Sequence, residues 1–514
     1  MGSDLGLGSW PWRRARMTPG RVAFVQGDRS RTYAELADRT RRLAGALHRR
    51  GVEPGDRVAF LGRNDIATFE TFFATGLAGA VFVPLNTRLA AAEITHLLTD
   101  CGASVLVHGP EMSELLAEVH LPARVAHVLT ADELEAAVRE APGDLPDNDI
   151  TLDDPCLILY TSGTTGRPKG AVLTRGNLTW NTINQLGHVD ILSTDTALCI
   201  APLFHVTGLG QVSLPTLFKG GTVVVAPRFD AGEVLATIAR EHITAFSAVP
   251  TMLKLMCEHP SWPESDLGSL RHVIYGGSPV EERVALAWLD RGVLVLQGYG
   301  MTEASPGVYM GLREGQLAHP VSIGVPHFFT DVAFPAGETV TAPEPDRAAE
   351  LLVRGPNVFT GYWNRPEDTA ATFVDGQWFR TGDVVRVGDD GWAYAVDRVK
   401  DMIISGGENI YPAEVEAVLV TLDAVADCAV VAVPDERWGE VGLAYVVPRD
   451  GAALTEDDLR AHLGARLARY KVPKHVRFVD ELPRNATGKL RRADLRQRAR
   501  DELGSTTTTS GAAE

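Results

Sequence analysis

Four apolar residues, Cys156-Leu157-Ile158-Leu159, run directly into Tyr160-Thr161-Ser162-Gly163-Thr164-Thr165-Gly166-Arg167-Pro168-Lys169-Gly170, an order that reads as a strand emptying into a loop. The glycines let backbone approach a ligand closely. Thr161, Ser162, Thr164 and Thr165 offer hydroxyl donors, and Lys169 adds one mobile positive charge. These are the parts of a phosphate cradle. They are not those of a P-loop, which needs Gly-Lys where this chain has Pro168-Lys169. The plain alternative is a Gly/Thr turn with a solvated lysine, and the combination of all three residue types in one loop outweighs it.

A chain of 514 residues is too long for one core and predicts two or three domains. Its formal charge of −17 argues against a nucleic-acid partner or an anionic membrane surface, so any anionic ligand needs local positive charge of the kind Lys169 provides. Cys101, Cys156, Cys199, Cys257 and Cys428 are scattered without metal-ligand spacing, which suits a reducing cytoplasm. Met1 to Met17 holds no apolar stretch of signal-peptide length, and no run is expected to span a membrane.

From Arg21 to Gly109, short β-rich runs alternate with helical periods. Ala23-Phe24-Val25, Arg57 to Leu61, Val81-Phe82-Val83 and Val105-Leu106-Val107 read as strands. Between them lie a helix capped by Thr32 and Glu35 that ends at Gly51, another over Ile66 to Leu77 and a third over Ala91 to Leu98. This pattern predicts a doubly wound α/β unit. Nothing between Pro122 and Asp154 repeats it as strongly, and 144–149 reads as a polar linker. A second lobe is expected from the glycine-rich loop to about Gly311, with Asn177 capping the helix after the loop and a helix over Val234 to His242. Two further strands in it empty into Gly276-Gly277-Ser278-Pro279 and Gly298-Tyr299-Gly300-Met301-Thr302-Glu303, so three loops from one lobe are expected to line one crevice. Val321 to Ala395 suggests a small β-barrel. Beyond Asp397-Arg398-Val399-Lys400-Asp401 follow a compact α+β domain and a Ser/Thr tail expected to be disordered.

Taken in order, the loop, Pro202-Leu203-Phe204-His205, Gly276 to Pro279, Gly298 to Glu303, Thr381-Gly382-Asp383, Asp397 to Asp401, Ser405-Gly406-Gly407-Glu408-Asn409 and Gly488-Lys489 resemble the motif series of the adenylate-forming enzymes. That superfamily comprises acyl-CoA synthetases, carrier-protein adenylation domains and firefly-type luciferases, and the chain looks most like acyl- or aryl-CoA synthetases of the feruloyl-, coumarate- or medium/long-chain type. The resemblance implies an α/β fold with a large N-terminal domain, 1–399, of two doubly wound lobes plus a small β-barrel. A small mobile α+β C-terminal domain, 400–504, and a tail, 505–514, follow. It also implies two half-reactions, in which a carboxylate attacks ATP to give acyl-adenylate and pyrophosphate and a thiol then displaces AMP.

Residue by residue, the resemblance implies that Thr161, Ser162, Gly163, Thr164, Thr165 and Lys169 hold the β- and γ-phosphates. Thr302 would touch the α-phosphate, Glu303 would hold Mg²⁺, Asp383 would take the ribose hydroxyls, and Gly277, Ser278, Tyr299 and Gly300 would wall the nucleotide, with Arg398 and Lys400 contributing at the domain junction. His205 would gate the acyl pocket, and Lys489 would serve adenylation. Amino-acid-activating relatives place an aspartate just after the position of His205, whereas this chain reads Val206-Thr207-Gly208-Leu209, so a buried ammonium would lack a partner. Thr207, Gln211, Gly276, Gly298, Pro306 and Gly307 match acyl-pocket positions, and their glycines are expected to leave room for a bulky apolar or aryl acid. Ser405, Gly406, Gly407, Trp438 and Lys471, with Tyr470 and Lys474, would meet coenzyme A. A free-standing enzyme loading a carrier protein in trans is the alternative reading, and a homodimer stays open. Where relatives carry a glycine-rich turn, Arg347-Ala348-Ala349-Glu350 predicts a locally different barrel turn.

Overall fold

A computed structural model describes residues 6–143, 149–161, 168–277, 280–315, 318–337, 339–398, 401–405, 408–435, 438–467, 469–485 and 488–507, with the backbone alone of 398, 404, 408, 409 and 503–507. The chain divides into two compact units, Met1–Val332 with Val353–Phe379, and Ala333–Leu352 with Arg380–Glu514.

Two sheets organise the first unit. A seven-stranded sheet runs Gly361–Tyr362, Lys169–Thr174, Pro155–Thr161, Val81–Leu85, Arg57–Leu61, Val105–His108, His127–Thr130. A nine-stranded sheet runs Val325–Pro326, Gly307–Met310, Leu294–Gly300, His272–Gly276, Ala245–Ala248, Thr196–Cys199, Thr222–Val225, Val22–Gln26, Arg29–Thr32. Central strands are parallel and buried on both faces, which is why Val81-Phe82-Val83 and Val105-Leu106-Val107 read as unbroken apolar runs instead of alternating ones. Helices Tyr33–Arg49 and Ile66–Leu77 begin where the sequence places them. Thr32 and Glu35 close a reciprocal capping box, and the Asp65 side chain accepts from Ala67 N–H.

Sheet membership differs from expectation in two places. The strand Ala23-Phe24-Val25 does not join the first lobe; it pairs in parallel with Thr222–Val225, Phe24 opposite Val223, and buries Phe24 against Phe69 with ring centroids 4.8 Å apart. The phosphate-loop strand does not open the second lobe either. Leu157 pairs with Phe82, and the chain then returns as the antiparallel strand Lys169–Thr174, so this loop belongs to the first sheet while those after Gly276 and Gly300 belong to the second. The segment judged weak after Pro122 contains the strand His127–Thr130 and the helix Ala131–Glu140, the latter started by a Thr130/Glu133 capping box. The expected linker lies at 144–149, of which 144–148 fall outside the described residues. Thr174, not Asn177, is the N-cap of helix Arg175–His188; Asn177 is its capping-box partner. The helix placed over Val234 to His242 spans Ala231–Arg240.

In the second unit a β-rich part pairs Phe334 with Thr341 and Asp383 with Arg398 within a six-stranded sheet, and it includes the turn expected to differ, now the start of strand Ala348–Arg354. The remainder is built on a long antiparallel hairpin, Val425–Asp435 with Gly439–Pro448. One face packs Val430, Ala444 and Val446 against Val415, Leu419 and Leu463, and the other packs Val431, Leu443 and Tyr445 against Leu495 and Ala499. The last helix, Arg492–Thr507, takes in the first residues of the expected tail.

Candidate active site

The hairpin brings Thr161 opposite Lys169; Ser162, Gly163, Thr164 and Thr165 lie outside the described residues. Thr161 Oγ1 donates to the Lys169 carbonyl at 3.4 Å. The Lys169 ammonium is 3.0 Å from Asp368 Oδ2 and 5.4 Å from the Tyr362 ring centroid. Tyr362 in turn donates its hydroxyl to Glu303 Oε1 at 2.9 Å, and Phe359 N–H donates to the Glu303 carbonyl at 2.8 Å. Burial, then the Glu303 charge, raise the Tyr362 phenol above its ordinary range, so it stays a donor. Asn357 Nδ2 donates to the carbonyls of Ala304, at 3.0 Å, and Gly307, at 2.7 Å. Segment 357–362 therefore clamps the Thr302–Gly307 turn. None of Asn357, Phe359, Tyr362 or Asp368 was singled out from sequence, where each is an isolated polar or aromatic residue without a motif around it.

His205 precedes the short helix Val206–Gly210, with its ring edge-on to Phe204 at 4.7 Å. Gln211 N–H donates to the Thr207 carbonyl at 3.4 Å, while the Gln211 side chain is buried with Oε1 lacking a hydrogen-bond partner among the described residues. The glycines do less to leave room than expected. A Cβ on Gly276 would lie 2.5 Å from the Gly298 carbonyl, and one on Gly300 only 1.7 Å from the Pro306 carbonyl. These two are glycines because backbone passes against backbone. At Gly298 and Gly307 a Cβ would meet side chains instead, Gln211 Nε2 at 3.1 Å and His327 Nε2 at 2.6 Å. Tyr299 is half-buried with its ring 6.1 Å from that of Tyr309. Gly277 holds φ at +89°, and Ser278 lies outside the described residues.

In the second unit Asp383 follows Gly382, whose φ is +68°, and its N–H donates to Thr381 Oγ1 at 3.1 Å. Asp383 is largely buried and stands opposite Arg398 in the strand register; the Arg398 side chain, Lys400, Gly406 and Gly407 lie outside the description. Ser405 pairs with Gly439. Trp438 is exposed, its N–H donating to Asp435 Oδ1 at 3.0 Å. Lys471 is held by Glu414 at 2.6 Å and Lys474 by Asp435, so both are engaged by acids, while the Tyr470 ring is exposed beside Lys471. Lys489 is exposed on a tight turn, its N–H bonded to Asn485 Oδ1 at 2.9 Å, with Gly488 at φ +80°.

Residues 11–363 match the AMP-binding enzyme family and residues 414–489 the AMP-binding enzyme C-terminal domain. The chain belongs to the AMP-binding enzyme family. Among curated members it is similar to a feruloyl-CoA synthase of Amycolatopsis sp, 54% identical over 96% of this chain and 99% of the relative, and to an indoleacetate–CoA ligase of Aromatoleum aromaticum, 42% identical over 96% and 98%. A solved structure of o-succinylbenzoate coenzyme A synthetase from Bacillus subtilis, in complex with ATP and magnesium ion, superposes with a TM-score of 0.84 at 33% identity, covering 95% of this chain and 99% of that one. As in other AMP-binding enzymes, the fold is a large N-terminal α/β domain with a small C-terminal domain. Magnesium that travels with a nucleotide shares its shell between one or two carboxylates and phosphate oxygens. Glu303 fits that mode, offering one carboxylate whose Oε1 accepts the Tyr362 hydroxyl.

Proposed function

We propose that this AMP-binding enzyme is an AMP-forming acid–thiol ligase: it joins a bulky aryl or apolar carboxylic acid to coenzyme A at the expense of ATP, through an acyl-adenylate, releasing AMP and pyrophosphate. The observation that carries this is the 54% identity, over nearly the full length of both chains, with a feruloyl-CoA synthase.

Both half-reactions gather negative charge on a small centre, so the protein contributes positioning and fixed positive charge. Thr161 to Thr165 and Lys169 bind the β- and γ-phosphates; Lys169 exchanges its partner Asp368 for phosphate oxygens. Thr302 positions the α-phosphate. Glu303 holds magnesium, which neutralises phosphate charge, and the Tyr362 hydroxyl fixes the orientation of that carboxylate. Asp383 accepts the ribose hydroxyls and Tyr299 stacks on the base. Lys489 supplies the ammonium for adenylation, whereas Ser405, Gly406, Gly407, Trp438 and Lys471 serve thioester formation. Residues 1–399 act as the adenylation domain and 400–504 as the mobile one, with Lys400 at the junction. Among the described residues no helix is long and apolar enough to cross a membrane. Burial pushes the thiols of Cys156 and Cys199 up to about 12, which keeps them unreactive in a cytoplasmic setting.

The test is AMP release and thioester formation over a panel of aryl, alkyl and amino acids, with and without coenzyme A. Turnover of acetate above every aryl or long acid would reject the acid class. Adenylate formation without transfer to coenzyme A would favour a carrier-protein acceptor.

A further inference from the structure

A histidine stands behind Gly307 that the chemistry above leaves unused. Asn181 staples the pocket wall together: its Nδ2 donates to the Gly210 carbonyl at 2.9 Å, and its Oδ1 accepts the Gly307 N–H at 3.1 Å. Beside it, His327 donates its backbone N–H to the Val308 carbonyl at 2.9 Å, which fixes where its ring can go. That ring is 2% exposed and packs edge-on to His188 at 4.8 Å. His188 is itself occupied, its Nε2 bonded to the Met310 carbonyl at 2.9 Å. Neither nitrogen of His327 meets a hydrogen-bond partner among the described residues.

A fully buried imidazole with both nitrogens idle costs the free protein desolvation without a compensating bond. Burial, then the neighbouring His188, push its pKa down to about 3, so it is neutral and carries one donor and one acceptor. Residue 307 is the screen. Any Cβ there would come within 2.6 Å of His327 Nε2, so glycine keeps side-chain atoms off the imidazole edge on the segment assigned to the acyl pocket. Another residue assigned to that pocket repeats the pattern: buried Gln211 has its Nε2 beside Gly298, 3.1 Å from where a Cβ would lie, and its Oε1 has no hydrogen-bond partner among the described residues. Apolar walls with a few convergent polar groups are how small-molecule sites fix orientation.

We propose that His327 is a specificity residue of the acyl pocket, hydrogen-bonding a hydroxyl on the ring of an aryl acid, an inference that rests on the aryl-acid reading above. The ring hydroxyl donates to the unprotonated nitrogen of the neutral imidazole. A site built to pair with a hydroxyl discriminates against the acid that lacks it, because the buried partner is then left bare.

The experiment compares kcat/KM for 4-hydroxycinnamate and cinnamate, which differ by that one hydroxyl, in the native enzyme, in His327→Leu and in His327→Gln. The native enzyme is expected to favour the hydroxylated acid about tenfold or more. His327→Leu should bring the ratio near unity by losing the hydroxylated acid, with an unchanged or raised Tm, while His327→Gln keeps most of the preference. An unchanged ratio in His327→Leu, or identical behaviour of the two variants, overturns the proposal. A measurement on the native protein covers a leucine variant that does not fold: histidine ring-nitrogen NMR signals, assigned by their loss in His327→Gln, should shift with 4-hydroxycinnamate and not with cinnamate. Equal response to both overturns it as well. If cinnamates are turned over and the ratio ignores residue 327, this proposal alone falls; if neither is turned over while alkyl acids are, the aryl-acid reading falls and takes this one with it.

Discussion

The candidate groups of the large unit and those of the C-terminal unit are held in opposite ways. Around Glu303 every feature is tied down: Tyr362 holds the carboxylate, Phe359 and Asn357 hold the backbone, and Gly300 lies directly against the Pro306 carbonyl. In the C-terminal unit Lys489 and Trp438 are exposed, and the core of that unit lies elsewhere, on the two faces of the Val425–Pro448 hairpin. Substitutions in the first region should therefore change stability and chemistry together, and those in the second should change chemistry alone.

The sharpest break of that contrast is Gly300→Ala. Its Cβ has no place to go, since a carbonyl oxygen stands 1.7 Å away and belongs to backbone, not to a side chain that can turn. Overpacking of this kind costs about 1–3 kcal/mol or more and displaces the Thr302–Glu303 turn with it. Thermal unfolding should move down by several degrees and adenylate formation should be nearly lost. An alanine variant with native Tm would mean that this turn yields easily, and the contrast would weaken. Next in size is Lys489→Ala. The side chain is solvent-exposed, so the Tm should stay within the small range of surface substitutions. Losing one fixed positive group from a charge-gathering step should lower adenylate formation by about 10²–10³-fold. Supplied acyl-adenylate and coenzyme A should still yield thioester; equal loss of both half-reactions would reject the assignment of Lys489 to adenylation alone.

The same contrast explains what could be read in advance. Elements with strong local signals, such as Arg57–Leu61 and Ile66–Leu77, lie where their apolar runs and caps put them. The motif series also led to the right family, because its short segments carry their chemistry in consecutive residues. Which sheet a strand joins is a long-range matter: nothing local in Ala23-Phe24-Val25 says that its partner is Thr222–Val225, some two hundred residues on. Helix Ala131–Glu140 did have a signal, the Thr130/Glu133 box, but its weakly apolar sequence hid it. Tyr362 and Asn181 bond to residues distant in the chain, the His327 ring packs on distant His188, and a lone tyrosine, asparagine or histidine carries no spacing to read.

A gentler probe of the large unit is Tyr362→Phe, which keeps the ring and removes only the hydroxyl held to Glu303 Oε1. A hydrogen bond to a charged group contributes about 1.5–3 kcal/mol, and partial exposure of this one puts it at the lower end. At 1.4 kcal/mol per decade, the magnesium concentration needed for half-maximal adenylate formation should rise about tenfold. A small fall in Tm should accompany it, as the tied-down character of this region requires. If magnesium dependence is unchanged while Tm drops, Tyr362 is only a strut and Glu303 does not serve the metal.

The smallest effect is expected at Trp438. Trp438 is 44% exposed, and its backbone N–H donates to Asp435 Oδ1 at 3.0 Å. Truncation to alanine removes a partly covered aromatic surface from an exposed turn, so folding should not register it. If the ring flanks the pantetheine arm of coenzyme A, the lost apolar contact is a fraction of the ~1.5–3 kcal/mol that full burial of a large side chain brings. KM for coenzyme A should then rise about 3–10-fold, with adenylate formation in its absence unchanged, because the first half-reaction does not use the thiol. A rise in KM for ATP or for the acid instead would place Trp438 with adenylation, and an effect on Tm would show that the C-terminal unit is tied together as tightly as the large one.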